Sequence, residues 1–320
     1  MFRFFAAALL LLSTACSAPA DIHETRFIMG TLVEFTIVDD DSDKAESAIA
    51  AAAVEMQRIE DAFTIYGDQP NAVKAFNASV PNTPVALPDE VSQLLTLALK
   101  VKQQSGGAFD PSLGELNLLW GFSGDDAPSS PPPTRAIEDA IPPAHCIEQQ
   151  GKQWIRTDRR CLLDFGAIAK GYAIDRGIAI LQQHGIQNAL INGGGDIRLI
   201  GSHGDRPWHI GIRHPRKKGG VIESLQLQGD ISIVTSGDYE RFFIARGKRY
   251  HHLIDPKTGW PASKAQSATV MASSAALADA WSTALFIQGA DGIKMQQKMN
   301  RKALLVDANG KIHGSLANSR

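Results

Sequence analysis

Along RFIMGTLVEFTIV (26–38) apolar and polar side chains alternate with the period of a half-buried strand. DSDKAESAIAAAAVEMQRIEDAFTIY (41–66) then reads as a long helix rich in good helix formers, with Asp41 or Ser42 placed to cap it. PDEVSQLLTLALKVKQQSGG (88–107) predicts a second helix, entered at Pro88 and stopped by paired glycines. HCIEQQGKQWIRTDRRCLLDFG (145–166) suggests a hairpin turning near Gly151, and a helix follows from about Lys170 to His184, ended by Gly185. Two strands flank NGGGD (192–196). The runs WHIGIRHP, ESLQLQG, ISIVTSG and RFFIARGKRYHHLID look like a meandering antiparallel sheet. SSAALADAWSTALFIQG (273–289) predicts a further helix, and KALLVDANGKIHGS closes on an Asn-Gly hairpin signal. Strands and helices mix without βαβ regularity, which predicts an α+β fold with no internal repeat. SGDDAPSSPPPTR (123–135) is expected to be a surface loop.

The 320 residues suffice for one large domain or two small ones. Net charge is −2 and no basic stripe is interleaved with aromatics, which argues against a nucleic-acid binder. The one basic cluster, RHPRKKGG (213–220), is expected to be a solvated loop.

The first residues have another character. MFRFFAAALLLLSTACSAPA carries one cation at Arg3 and an apolar core from Phe4 to Leu12, too short for a permanent span. It reads as a secretory signal, and Ala15 before Cys16 resembles a bacterial lipobox, with Ser13 where leucine is usual; ordinary signal cleavage near Ala18 or Ala20 is the alternative. The expected organisation is a signal segment at 1–15, a tether at 16–26 from a lipidated Cys16, and one domain over 27–320. Export would place Cys146 and Cys161 in an oxidising compartment, where either a disulfide or a reduced pair fits the sequence.

Helix 273–289 is apolar nearly all round except for Asp279, Ser282 and Thr283, whose spacing places them on one face. A carboxylate there needs a partner. A backbone amide, the Lys170 ammonium, or a hard cation held with the Thr283 hydroxyl would each serve. In CLLDFGAIAKGYAID (161–175) Asp164 and Lys170 sit in a run made for burial, so they pair either with each other or with a third party. HHLIDPKTGWP (251–261) contains an Asp-Pro-Lys-Thr-Gly turn recipe, which leaves His252 unexplained and available as a general base. The glycines of SGGAFDPSLG and NGGGD lack phosphate-loop spacing and are expected to form tight turns.

Taken together, SGGAFDPSLGELNLLWGF, LDFGAIAKGYAID, INGGGDIR, TSGDY, GKRYHHLIDPKTGWP and ADAWSTALFIQG resemble, in order, the ApbE family of periplasmic flavin transferases. The resemblance runs from MGT (29–31) to ADAWSTAL (278–285). Two places depart from it: Ala75 and Glu240 stand where arginine is common. The resemblance implies an ApbE-like, T-fold-like α+β domain, mostly antiparallel sheet packed with helices. It implies Mg2+-dependent transfer of FMN from FAD to a threonine hydroxyl of a partner protein, releasing AMP. It maps the FAD contacts to Met29, Tyr66, Ala108, Phe109, Asp110, Asp164, Lys170 and Ile254. Magnesium maps to Asp279, Thr283 and the Ala167 carbonyl, and the base to His252. The expected acceptors are subunits of membrane respiratory complexes, either Na+-translocating NADH:quinone reductase or Rnf-type, with the enzyme anchored in the periplasm. Two competing functions share the same residues: an FAD pyrophosphatase yielding FMN and AMP, and a non-catalytic flavin-binding lipoprotein.

Overall fold

The computed structural model describes residues 20–123 and 128–317. The signal segment and Cys16 lie outside the described residues. In chain order the first elements are β1 (Ala20–Ile28), β2 (Thr31–Asp39), α1 (Ser42–Phe63), α2 (Ala72–Ala78), β3 (Val85–Ala86), α3 (Asp89–Gln104), α4 (Gly114–Trp120) and α5 (Thr134–Ala140). Then come β4 (Ile147–Gln150), β5 (Gln153–Arg156), α6 (Ala169–Gln183), β6 (Ala189–Gly193), β7 (Asp196–Ile200), β8 (Trp208–Arg213), β9 (Val221–Leu227) and β10 (Ile231–Gly237). The chain ends with β11 (Phe242–Ala245), β12 (Lys248–His251), β13 (Ala265–Ala272), α7 (Ala275–Gln288), α8 (Ala290–Lys298), β14 (Ala303–Asp307) and β15 (Ile312–Ser315).

An eight-stranded sheet in the order β1-β2-β6-β7-β10-β13-β14-β15 forms the frame, and its neighbours pair antiparallel throughout. The fold is α+β, as the mixed pattern predicts. On one face α1, α6 and α7 pack against Phe35, Ile191, Val234, Val270 and Leu305. The opposite face carries Leu199, Ile233, Leu304 and Val306 under Trp208, Ile210 and Ile212 of β8. Because both faces are covered, β14 buries Ala303 through Val306 without a break, alternating between the two cores.

Two expectations change and a third is refined. The alternation at 26–38 is a hairpin: Met29 and Gly30 both take positive φ (59° and 67°), the two-residue turn whose twist suits antiparallel strands. β1 therefore reaches back to Ala20, into the stretch expected as tether. The four-run meander is also divided. β8 buries alternate residues and pairs only with β9, as a ribbon laid over the sheet, whereas β10 is buried on both sides and sits inside the sheet. β11 and β12 form a separate two-stranded ribbon. Lastly, the basic cluster is exposed at Arg213 and over 216–219, as expected of a solvated loop, but one of its cations is tied down: the Arg216 guanidinium forks the buried Asp238 carboxylate at 2.7 and 2.5 Å.

The predicted caps and turns hold. Asp41 accepts from the Lys44 amide at 3.0 Å at the start of α1. Cys146 and Cys161, both fully buried, form a disulfide across the base of the β4–β5 hairpin. Residues 128–133 of the expected surface loop are irregular, and α5 begins at Thr134.

Candidate active site

A cavity of about 560 Å3 opens beside the helical face of the sheet. That volume lies within the usual range for small-molecule sites. Its wall is assembled from the β1–β2 turn, the loop after α1, residues 108–110, the start of α6, the β6–β7 turn, the ends of β10 and β12, and α7.

α7 supplies the deepest wall. All its residues from Ala275 to Ile287 except Leu277 are buried, as its all-round apolar pattern predicts. Asp279 and Thr283 line the cavity, one turn apart. Ser282, predicted on the same face, instead packs inward, donating to the Asp279 carbonyl at 2.8 Å and meeting Ser236 Oγ at 2.7 Å. The Asp279 carboxylate accepts from the Gly171 amide at 3.0 Å through Oδ2, and its Oδ1 has no protein partner among the described residues. Burial first, then the nearby Asp196 carboxylate, push this acid up to about 7, against the opposing charge of Lys170.

The helix N-terminus that aims α7 is held from outside. Asp175 accepts from the Ala275 and Ala276 amides at 2.7 and 3.0 Å, while Ser274 caps Leu277 at 3.2 Å. α6 approaches closely enough for this because residue 171 is glycine. A Cβ there would stand 2.2 Å from the Ala275 carbonyl oxygen.

Asp164 and Lys170 do not pair with each other. Asp164 accepts from Asn117 Nδ2 and the Gly166 amide, each at 2.7 Å, which closes the small loop carrying Ala167. Lys170 places its ammonium 2.7 Å from Asp196 Oδ2. Asp196 follows the Gly194–Gly195 turn between β6 and β7, where Gly194 at φ +65° packs against Thr31. Sequence reasoning missed Asp196. Its only signal is an acid at the end of a glycine turn.

Two adjacent histidines differ in what they can do. His251 is satisfied, with Nε2 at 2.8 Å from the Ala262 carbonyl and Nδ1 accepting from the Leu253 amide. His252 faces the cavity with Nδ1 3.3 Å from the Arg241 carbonyl. A carbonyl only accepts, so Nδ1 bears the proton and Nε2 presents a lone pair. Burial, then the Arg241 charge, hold this imidazole well below its ordinary value, so it stays neutral.

The remaining predicted positions reach the same wall. Met29 lies in the hairpin turn, with its amide donating to Glu60 at 2.8 Å. Tyr66 follows α1, and burial pushes its phenol up to about 12. Lys74 fixes that loop by donating to the carbonyls of Tyr66, Gly67 and Gln69 at 2.7–2.8 Å, a role that neighbouring Ala75 cannot take. Ala108, Phe109 and Asp110 line the opposite side, where Asp110 pairs with Lys102 at 2.7 Å. Ile254 arrives from the predicted turn, in which the Gly259 amide donates to the Asp255 carbonyl at 2.9 Å. Glu240 also lines the cavity. Its neighbour Arg241 supplies a guanidinium one residue later.

Residues 29–305 match the model of the ApbE family. The chain belongs to the ApbE family. A protein of Klebsiella pneumoniae named FAD:protein FMN transferase is 31% identical over 95% of this chain and 91% of its own. One of the same name from Treponema pallidum is 32% identical, over 86% and 82%. The crystal structure of an ApbE protein from Thermotoga maritima superposes with a TM-score of 0.84 at 34% identity, covering 93% of this chain and 97% of that one. The flavin transferase ApbE from Vibrio cholerae gives 0.81 at 27% identity, covering 93% and 98%.

The donor set of this ApbE chain is all oxygen: the Asp279 carboxylate with its unpartnered Oδ1, the Thr283 hydroxyl, and the Ala167 position on the same cavity wall. Among the described residues no group of three or more His, Cys, Asp or Glu side chains forms a metal site. One carboxylate and one hydroxyl fit a hard cation that completes its coordination with substrate phosphates and water.

Proposed function

We propose that this chain is an FAD:protein FMN transferase that moves FMN from FAD to a threonine hydroxyl of a partner protein, releasing AMP. The observation that carries the reading is the convergence of Asp279, Thr283, Lys170 and His252 on one cavity in a chain whose relatives bear that name. Met29, Tyr66, Ala108, Phe109, Asp110 and Ile254 would hold FAD in this cavity, with the Lys170 ammonium available to its diphosphate. Asp279, Thr283 and the Ala167 carbonyl would hold Mg2+. Magnesium bound there supplies Lewis-acid polarisation of phosphoryl oxygens and offsets their charge.

His252 acts through Nε2, which takes the proton of the acceptor hydroxyl. The threonine oxygen then forms a bond to the FMN phosphorus in line with the pyrophosphate oxygen, whose bond breaks as AMP departs. The Lys170 ammonium remains beside the phosphates throughout and stabilises their charge. Asp164, held by Asn117 and Gly166, offers an acceptor to polar groups of FAD.

The N-terminus and the cysteines support the proposed placement. The signal-like segment and the lipobox-like Cys16 support a lipid-anchored periplasmic protein, and a buried disulfide suits that compartment. Acceptor subunits of membrane respiratory complexes, Na+-translocating NADH:quinone reductase or Rnf-type, are the partners the family resemblance suggests.

The test separates chemistry from binding. His252→Ala is expected to slow covalent flavin transfer on the order of 100-fold or more, while flavin fluorescence reports nearly unchanged FAD affinity. Equal loss in both would make His252 a binding residue and remove the base from the mechanism.

A further inference from the structure

We infer that Asp196 is a positioning residue for the transfer reaction: it acts through Lys170, holding that ammonium toward the diphosphate of the flavin nucleotide. The inference rests on the flavin-transfer reading for the identity of the ligand and on the geometry for everything else.

Asp196 is almost completely buried, whereas Lys170 keeps about a third of its side chain exposed in the cavity (2% against 30%). Carboxylate Oδ1 accepts from the Thr235 amide at 3.3 Å. Oδ2 has no hydrogen-bond partner among the described residues and faces the Lys170 ammonium as an ion pair at 2.7 Å. Asp196 stands in the cavity wall with almost none of its side chain exposed, so the Lys170 ammonium is the part of the pair open to a ligand. Lys170 is arranged in the opposite sense. An ammonium carries three donors, and Asp196 is its one ion-pair partner among the described residues.

A flexible four-carbon stem does not fix a charge by itself. Here the stem leaves the first turn of α6, and its end is pinned by a carboxylate on the first residue of β7. Asp196 is in turn fixed by the Gly194–Gly195 turn and by the β10 amide of Thr235. The result is a charge held in place by two elements that belong to the rigid frame, with ammonium donors left for phosphate oxygens. A buried carboxylate without Lys170 would be an uncompensated charge, so each partner depends on the other.

The experiment is a double-mutant cycle on the full chain, read by equilibrium FAD binding in magnesium and in EDTA and by kcat and KM for transfer. D196N keeps the shape and removes the charge. It is expected to weaken FAD binding about 10-fold or more in both buffers, because the loss is of a positioned ammonium and not of a metal ligand. In a K170M background the same substitution should change FAD affinity by less than about twofold, the signature of residues acting as one unit. K170M leaves the buried Asp196 carboxylate unpaired, whereas K170M/D196N removes both charges together, so the FAD affinity of the double variant is also compared with that of D196N, in which the part-exposed Lys170 stays hydrated, and the two are expected to agree within about twofold. An equal D196N effect with and without Lys170 would overturn the proposal, as would an effect seen only with magnesium. Failure of the wild-type chain to bind FAD at all would instead count against the flavin-transfer reading.

Discussion

The Gly171 amide donates to the Asp279 carboxylate at 3.0 Å across the contact between α6 and α7. The same glycine leaves no room for a side chain, because its Cβ would stand 2.2 Å from the Ala275 carbonyl oxygen and 2.7 Å from the Ala276 amide. One position therefore sets both the helix separation and the orientation of the acid in the cavity. Gly171→Ala is expected to destabilise the fold by about 1–3 kcal/mol or more, measured by urea unfolding, and to raise the magnesium concentration needed for half-maximal transfer. An unchanged unfolding midpoint would show that the helices part at no cost.

Asp279→Asn keeps the size of the side chain and an acceptor for the Gly171 amide while removing the charge. Transfer should fall by more than the roughly 10–100-fold typical of losing an outer-shell metal partner, with the far-ultraviolet circular dichroism unchanged. Metal-free, the variant should be at least as stable as the wild type at pH 8, because burial and Asp196 both oppose ionisation of Asp279. Wild-type rates in this variant would remove the metal assignment.

His252 gives the pH dependence. Its folded-state affinity for protons lies well below that of an unfolded histidine near 6.5, and burial shifts His251 the same way. Below about pH 6.5 the unfolded chain takes up protons that these two imidazoles refuse, so stability falls as the pH drops; above it they contribute no slope. Replacing His252 by Asn should flatten part of the acid side of a stability–pH curve between pH 6.5 and 5. An unaltered curve would place the acid sensitivity elsewhere.

The disulfide closes a loop of 15 residues that ends three positions before Asp164. Chain-entropy reasoning assigns such a loop about 3 kcal/mol. The double variant Cys146→Ala, Cys161→Ala should lose stability of that order in denaturant titrations, and the loss should disappear when the wild type is compared after reduction.

Much of this was legible in the chain and some was not, for physical reasons. Long helices such as α1, α3, α6 and α7 announce themselves through period, caps and stop signals, and the structure places them within a few residues of expectation. Strand partners did not show, because ISIVTSG looks the same whether it belongs to a meander or is buried on both faces of a wide sheet. β13 and α8 escaped for the same reason: each is defined by what covers it. Every residue the family resemblance marked within the described chain lines one cavity. Asp196 and Lys74 needed the structure, since their partners lie in other elements or in backbone carbonyls that no side-chain motif reports.

The most direct measurement is the intact mass of a threonine-bearing acceptor protein after incubation with this enzyme, FAD and Mg2+. The account predicts a gain of one FMN per acceptor with AMP released in equal amount, and no gain when the acceptor threonine is replaced by valine. An acceptor of unchanged mass, with AMP appearing equally fast in its absence, would contradict it.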